Sequence, residues 1–111
     1  MTTDSLPDPL DKLRVETGFR ADEHERITEQ FAPLGARLRS FDAESIDMEL
    51  SVKERDGADQ RVTLELWAPG TARMVATSSR PDLDAALQEV RDDLVRQVTS
   101  MVDQRSAHRR R

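Results

Sequence analysis

The stretch S-R-P-D-L-D-A-A-L-Q-E-V-R-D-D-L-V-R-Q-V-T-S-M-V-D-Q-R-S-A-H-R-R-R, from Ser79 to Arg111, decides the fold. Leu83, Leu87, Val90, Leu94, Val98 and Met101 recur in it at steps of three and four. That spacing predicts one apolar stripe on a long helix, from about Pro81 to beyond Met101. Ser79 is a candidate cap, Pro81 suits a first turn, and Asp82 and Asp84 favour the positive end of the helix dipole. The charge changes sign here. Residues 83–111 carry five acids and six arginines, a net of +1, whereas residues 1–82 carry 17 acids and 11 bases, a net of −6. A basic helical end on an acidic body suits an anionic partner.

Working back toward the N-terminus, four segments alternate in hydropathy. Leu13, Val15, Thr17 and Phe19 alternate with polar or small residues and predict a strand starting at Lys12. Ile46, Met48, Leu50 and Val52 predict a second. Val62, Leu64 and Leu66 predict a third, and residues 72–77 a shorter fourth, with Met74 and Ala76 pointing inward. Asp56-Gly57 and Pro69-Gly70 mark the turns between them. Between the first two strands, Ile27, Phe31, Leu34, Leu38 and Phe41 follow a helical period. Pro33 interrupts it and predicts a kink or a short break near residues 32–34.

The expected class is therefore α+β in the order β-α-β-β-β-α. The simplest burial is a four-stranded sheet with both helices packed on one face. Residues 1–11 read as a disordered leader, 12–104 as a single domain and 105–111 as a basic tail.

Composition narrows the chemistry. At 111 residues the chain is one domain with a modest core. It contains no cysteine, which excludes disulfides and thiolate metal sites and fits a reducing cytoplasm. No apolar run approaches a membrane span, and the first residues carry neither the cationic start nor the apolar centre of a signal peptide. His24 and His108 are too few and too far apart for a metal set. Adjacent Asp92 and Asp93 do not face each other on a helix, so they make no acid–base pair. Ser78 and Ser79 lack a histidine–acid set. The sequence thus offers no catalytic constellation and implies no cofactor.

The helix 82–98 resembles the last helix of the ribosome hibernation-promoting factor family, also called ribosome-associated inhibitors or sigma-54 modulation proteins. That helix runs D-x-Y-A-A-I-D-x-A-x-D-K-L-x-R-Q-L. Asp82, Ala85, Ala86, Asp92, Leu94, Arg96 and Gln97 match it without a gap, and Leu87 and Val98 are apolar equivalents. Asp84 stands where the family has tyrosine and Asp93 where it has a basic residue. The first helix here is acidic, with Asp22, Glu23, Glu25 and Glu29, where relatives are rich in lysine. The resemblance implies a double-stranded-RNA-binding-like fold without enzymatic activity. It also implies a stress-related regulator of translation that binds the small ribosomal subunit and its RNA and blocks messenger and transfer RNA. The chain resembles a short member, without the domain that pairs two ribosomes.

The candidate RNA-binding residues are Arg96 first, then Arg91, Arg105 and Arg109, with Arg37 and Arg39 at the end of the first helix. Arginine makes forked, charge-assisted bonds to phosphate. The bland alternative is a solvated helix face with pairs such as Asp92–Arg96, and Arg37 and Arg39 also suit a helix C-terminus without RNA. Lys53, Arg55 and Arg61 flank a hairpin and read as solvated. Trp67 either stacks on a base or covers the open face of the sheet. A protein-interaction module on that face is the competing function.

Overall fold

In the computed structural model, residues 9–16 and 18–109 are described, with the side chains of Asp11 and residues 105–109 left out. The architecture is α+β. Strands β1 (Leu13–Val15), β2 (Asp47–Lys53), β3 (Arg61–Trp67) and β4 (Met74–Ser78) form one sheet in the order β1-β2-β3-β4. β1 runs parallel to β2, and the other pairs are antiparallel. Helices α1 (His24–Gln30) and α2 (Ala32–Arg37) lie between β1 and β2 in the chain, and α3 (Leu83–Arg109) follows β4. The order β-α-β-β-β-α holds, with the first helix in two pieces.

The register explains the layers. Leu13, Met48 and Leu66 stand side by side across the ladder, as do Leu50, Leu64 and Ala76. Because side chains alternate across a strand, these residues share one face. That face packs against Ile27, Phe31, Leu34 and Leu38 of the first helical pair and against Leu87, Val90, Leu94 and Val98 of α3, all buried. The other face carries Arg14, Glu49, Thr63, Glu65, Trp67 and Val75, and no described element covers it.

Several sequence expectations shift by a few residues. The helical break falls at Phe31, just before the expected 32–34. Pro33 sits in the first turn of α2, where its missing N–H leaves no bond unmade. α2 ends at Arg37, so Arg39 lies in the turn beyond it. α3 is capped by Asp82, whose Oδ2 accepts from the Ala85 N–H at 3.2 Å, and not by Ser79. β1 ends at Val15, short of Phe19; Thr17 lies outside the described residues. At the first hairpin the left-handed residues are Glu54 (φ 54°) and Asp56 (φ 66°) rather than Gly57. At the second, Gly70 takes φ 74° after Pro69, and Thr71 N–H bonds to Ala68 O at 3.3 Å. Residues 1–8 of the expected leader lie outside the described residues. Its end does not behave as a leader. Pro9–Lys12 is a 3₁₀ turn that drops Leu10 into the core against Gly35, where an added Cβ would stand 3.0 Å from Leu10 Cγ.

Two polar locks tie loops to this frame. Glu23 and Arg55 form a forked pair, with Arg55 Nη1 donating to Oε1 at 2.9 Å and Nη2 to Oε2 at 2.5 Å. Nη1 also reaches Gly18 O at 2.6 Å, and the guanidinium lies 5.7 Å from the Phe19 ring centre. The Arg55 hydrogen bonds, joined by one from the Arg20 N–H, pull the Glu23 carboxyl down to about 2. Gln60 is buried and bridges the hairpin loop to the start of α3. It accepts from Asp56 N–H and donates to Arg80 O and Pro81 O.

Two stability tests follow from this packing. Leu94→Ala is expected to cost about 2–5 kcal/mol in urea titration, as for other buried leucine truncations. The Glu23 carboxyl is depressed from 4.5 to about 2, so its contribution is complete above pH 4.5 and is lost as pH falls toward 2. Acid titration should show wild type losing, over that window, stability that Glu23→Gln never had. The difference at neutral pH is expected to be about 1.5–3 kcal/mol, the range for hydrogen bonds to charged groups.

Candidate nucleic-acid interface

Among the described residues, most cations are already spent on the chain's own acids. Arg14 contacts Asp47 and Glu49, Arg26 pairs with Asp84, Arg55 with Glu23, Arg73 with Glu65 and Arg80 with Glu89. The exposed pairs among these contribute little stability, unlike the largely buried Arg55–Glu23 fork, but each one lowers the charge left for a partner. Among the described residues, Arg37, Arg39, Lys53 and Arg61 make no ion pair. Arg96 touches only Asp93, at 3.6 Å, and its side chain is 71% exposed.

The fold brings Arg37 and Arg96 to one hollow. Arg37 closes α2 and Arg96 lies midway along α3, and both line one open depression of about 630 Å³ with Thr99, Ser100, Asp103 and Gln104. The Thr99 hydroxyl is buried there and makes no hydrogen bond. On the opposite flank of α3, Arg96 also borders a groove of about 560 Å³ under the β3–β4 loop, with Arg73, Met74 and Met101. Arg96 is thus the ridge between two hollows. Beside it, Gln97 turns inward and its Nε2 donates to Val75 O on the sheet edge at 3.1 Å. The R-Q pair divides its work: Gln97 fastens α3 to β4, and Arg96 faces solvent.

The other candidates fall elsewhere. Arg91 is only 22% exposed, and its Nη1 donates to Gln30 O at the end of α1, at 3.2 Å, while Nε donates to Asp92. It holds the two helices together. Five residues separate it from Arg96, nearly one and a half turns, so the two point to different sides of α3. Arg39 is exposed in the turn after α2. Arg105 and Arg109 lie on α3, with side chains outside the described ones, and Arg110 and Arg111 are outside the described residues. Positions 96 and 105 are two and a half turns apart, on opposite sides of the helix.

Trp67 is half-buried on the uncovered sheet face, where its ladder partner is Asp47. On the same face Glu16 shares a hydrogen bond with Glu49, which pushes the Glu16 carboxyl up. Among the described residues no three His, Cys, Asp or Glu side chains gather as a metal set, and no helix is long and apolar enough to cross a membrane. No protein-family model and no curated protein sequence matches the chain.

Sequence spacing missed the Arg37–Arg96 hollow, the groove beside Arg73 and the structural use of Arg91. Pairing between distant segments decides all three. The contrast is measurable. Arg91→Ala is expected to lower stability by about 1–3 kcal/mol, because it strips a partly buried carbonyl of its donor. Arg96→Ala, on an exposed position, should stay within about 0.5 kcal/mol of wild type in the same urea titration.

Proposed function

We propose that this chain is a non-catalytic, cytoplasmic factor that binds the RNA of the small ribosomal subunit and blocks messenger and transfer RNA there. Arg96 and Arg37 would carry the phosphate contacts. The observation behind this reading is that two exposed arginines from separate helices, Arg37 with no ion pair among the described residues and Arg96 with only the 3.6 Å contact to Asp93, line one hollow together with Thr99, Ser100 and Asp103. Such a site suits an anionic backbone and needs no base sequence. The resemblance of residues 82–98 to hibernation factors supplies the identity of the RNA, and the order β-α-β-β-β-α agrees with the fold that it implies. The mechanism is steric: the body occupies space, and phosphate contacts hold it in place.

Two of the acidic departures from the family pattern are neutralised within the fold, Asp84 by Arg26 and Glu23 by Arg55, whereas Asp93 pairs with Arg96 and Asp103 lines the hollow.

A second reading, a protein-interaction module, draws on the uncovered sheet face with Trp67 half-exposed on it. Co-sedimentation with purified small subunits at low and physiological salt separates the two. Wild type is expected to bind at low salt and to weaken steeply as salt rises, because each neutralised phosphate releases counterion. Arg96→Glu and Arg37→Glu should each weaken binding and flatten the slope of log affinity against log salt by about one. Trp67→Ala should bind like wild type. Loss of binding in Trp67→Ala alone, or no binding by wild type at low salt, would favour the interaction module.

A further inference from the structure

The groove beneath the β3–β4 loop has a different chemistry from the hollow that holds Arg37. Its floor is apolar, formed by Met74 at the start of β4 and Met101 on α3, both half-buried. Arg73 and Arg96 stand on its rim. Glu65 Oε2 fixes Arg73 Nη1 at 3.1 Å, so that guanidinium is held in position before anything binds. Asp93 is the one carboxylate that lines the groove.

We propose that this groove seats a single unpaired guanine of single-stranded RNA. The inference rests on the RNA-binding reading above and adds a base contact to it. Methionine sulfurs make favourable contacts with aromatic rings, and guanidinium planes stack on bases. The two methionines and the cationic rim therefore suit a heterocycle with a phosphate on either side. The groove is open along its length, which suits a base swung out of a strand. A free small ligand would need a pocket that covers most of its surface. A base inside an A-form duplex cannot enter, because its faces are stacked.

Asp93 selects the base. Its carboxylate offers two acceptor oxygens, and Oδ1 lies 3.6 Å from Arg96 Nη2, a long contact on an exposed arginine that a base edge would displace. Guanine presents two adjacent donors, N1–H and the N2 amino group, on its Watson–Crick edge. Adenine and cytosine each present one donor beside an acceptor nitrogen. Uracil presents one N–H between two carbonyl oxygens, which the carboxylate would repel. Asp93 thereby gains a role at a position where a basic residue would add only one more phosphate contact.

Fluorescence anisotropy with three labelled RNAs tests the proposal: a short oligouridine, the same strand with one central guanine, and that strand in a duplex. The guanine strand is expected to bind at least about fivefold more tightly than oligouridine, the discrimination of one good bidentate base contact. The duplex should bind more weakly than the guanine strand. Asp93→Asn, with its thermal midpoint checked, should bring the guanine strand to within about twofold of oligouridine, since it swaps an acceptor for a donor. Equal binding of all three RNAs by wild type would overturn the base site. So would a guanine preference that survives Asp93→Asn. If the RNAs bind alike and Arg96→Glu weakens them all, the base site fails and the phosphate contacts stand. If no RNA binds at low salt, both fail.

Discussion

The seating of α3 on the sheet is the contact on which the rest depends. Leu87, Val90, Leu94 and Val98 are buried against the inner face, where Leu64, Leu66 and Ala76 meet them. Fully burying one such side chain is worth roughly 1.5–3 kcal/mol, so this stripe accounts for a large share of the core. It also fixes the rotation of α3. Once Leu94 and Val98 face the sheet, Arg96 must face outward and Gln97 must lie beside the edge of β4. The site and the core are two sides of one helix, set by the same period.

Charge pairing does the second half of the work. The chain carries 22 acids and 17 bases, so an even smear of charge would repel any polyanion. The fold does not leave the charge even. It folds Asp84 onto Arg26 and Glu23 onto Arg55, and leaves Arg37 and Arg96 exposed in one place. Local field matters more to an approaching phosphate than net charge does, because screening confines each charge to about 8–10 Å at moderate salt. An acidic protein can in this way keep two arginines exposed side by side, here with Asp93 and Asp103 as their acidic neighbours.

The internal pairs also explain how the first helix tolerates its composition. Pro33 falls where a new helix starts rather than inside an old one. Arg91 then donates to the carbonyl of Gln30 just before the break, a bond that an uninterrupted helix would not leave open in this way. Arg91, a secondary candidate for phosphate contact in the sequence, thus ties α1 to α3 in the fold.

The sequence by itself determined the class, the element order and the core. Hydropathy at period two marked β3 over its full span and β2 to within one residue, and period three-to-four marked α3, because burial on one face writes a repeat into the chain. It also marked Arg96, which lies off the apolar stripe of its own helix. Only the tertiary structure decided which cations remain free. Arg91 and Arg96 look alike in sequence, and Arg37 gives no sign that it will meet α3. Whether a charge is neutralised depends on partners from segments far away in the chain, and no local period records those. The ends of elements were settled in the same way. Asp82 caps α3 in place of Ser79, and Leu10 leaves the expected leader for the core, because hydrogen-bond geometry and the space beside Gly35 exist only after the layers have come together.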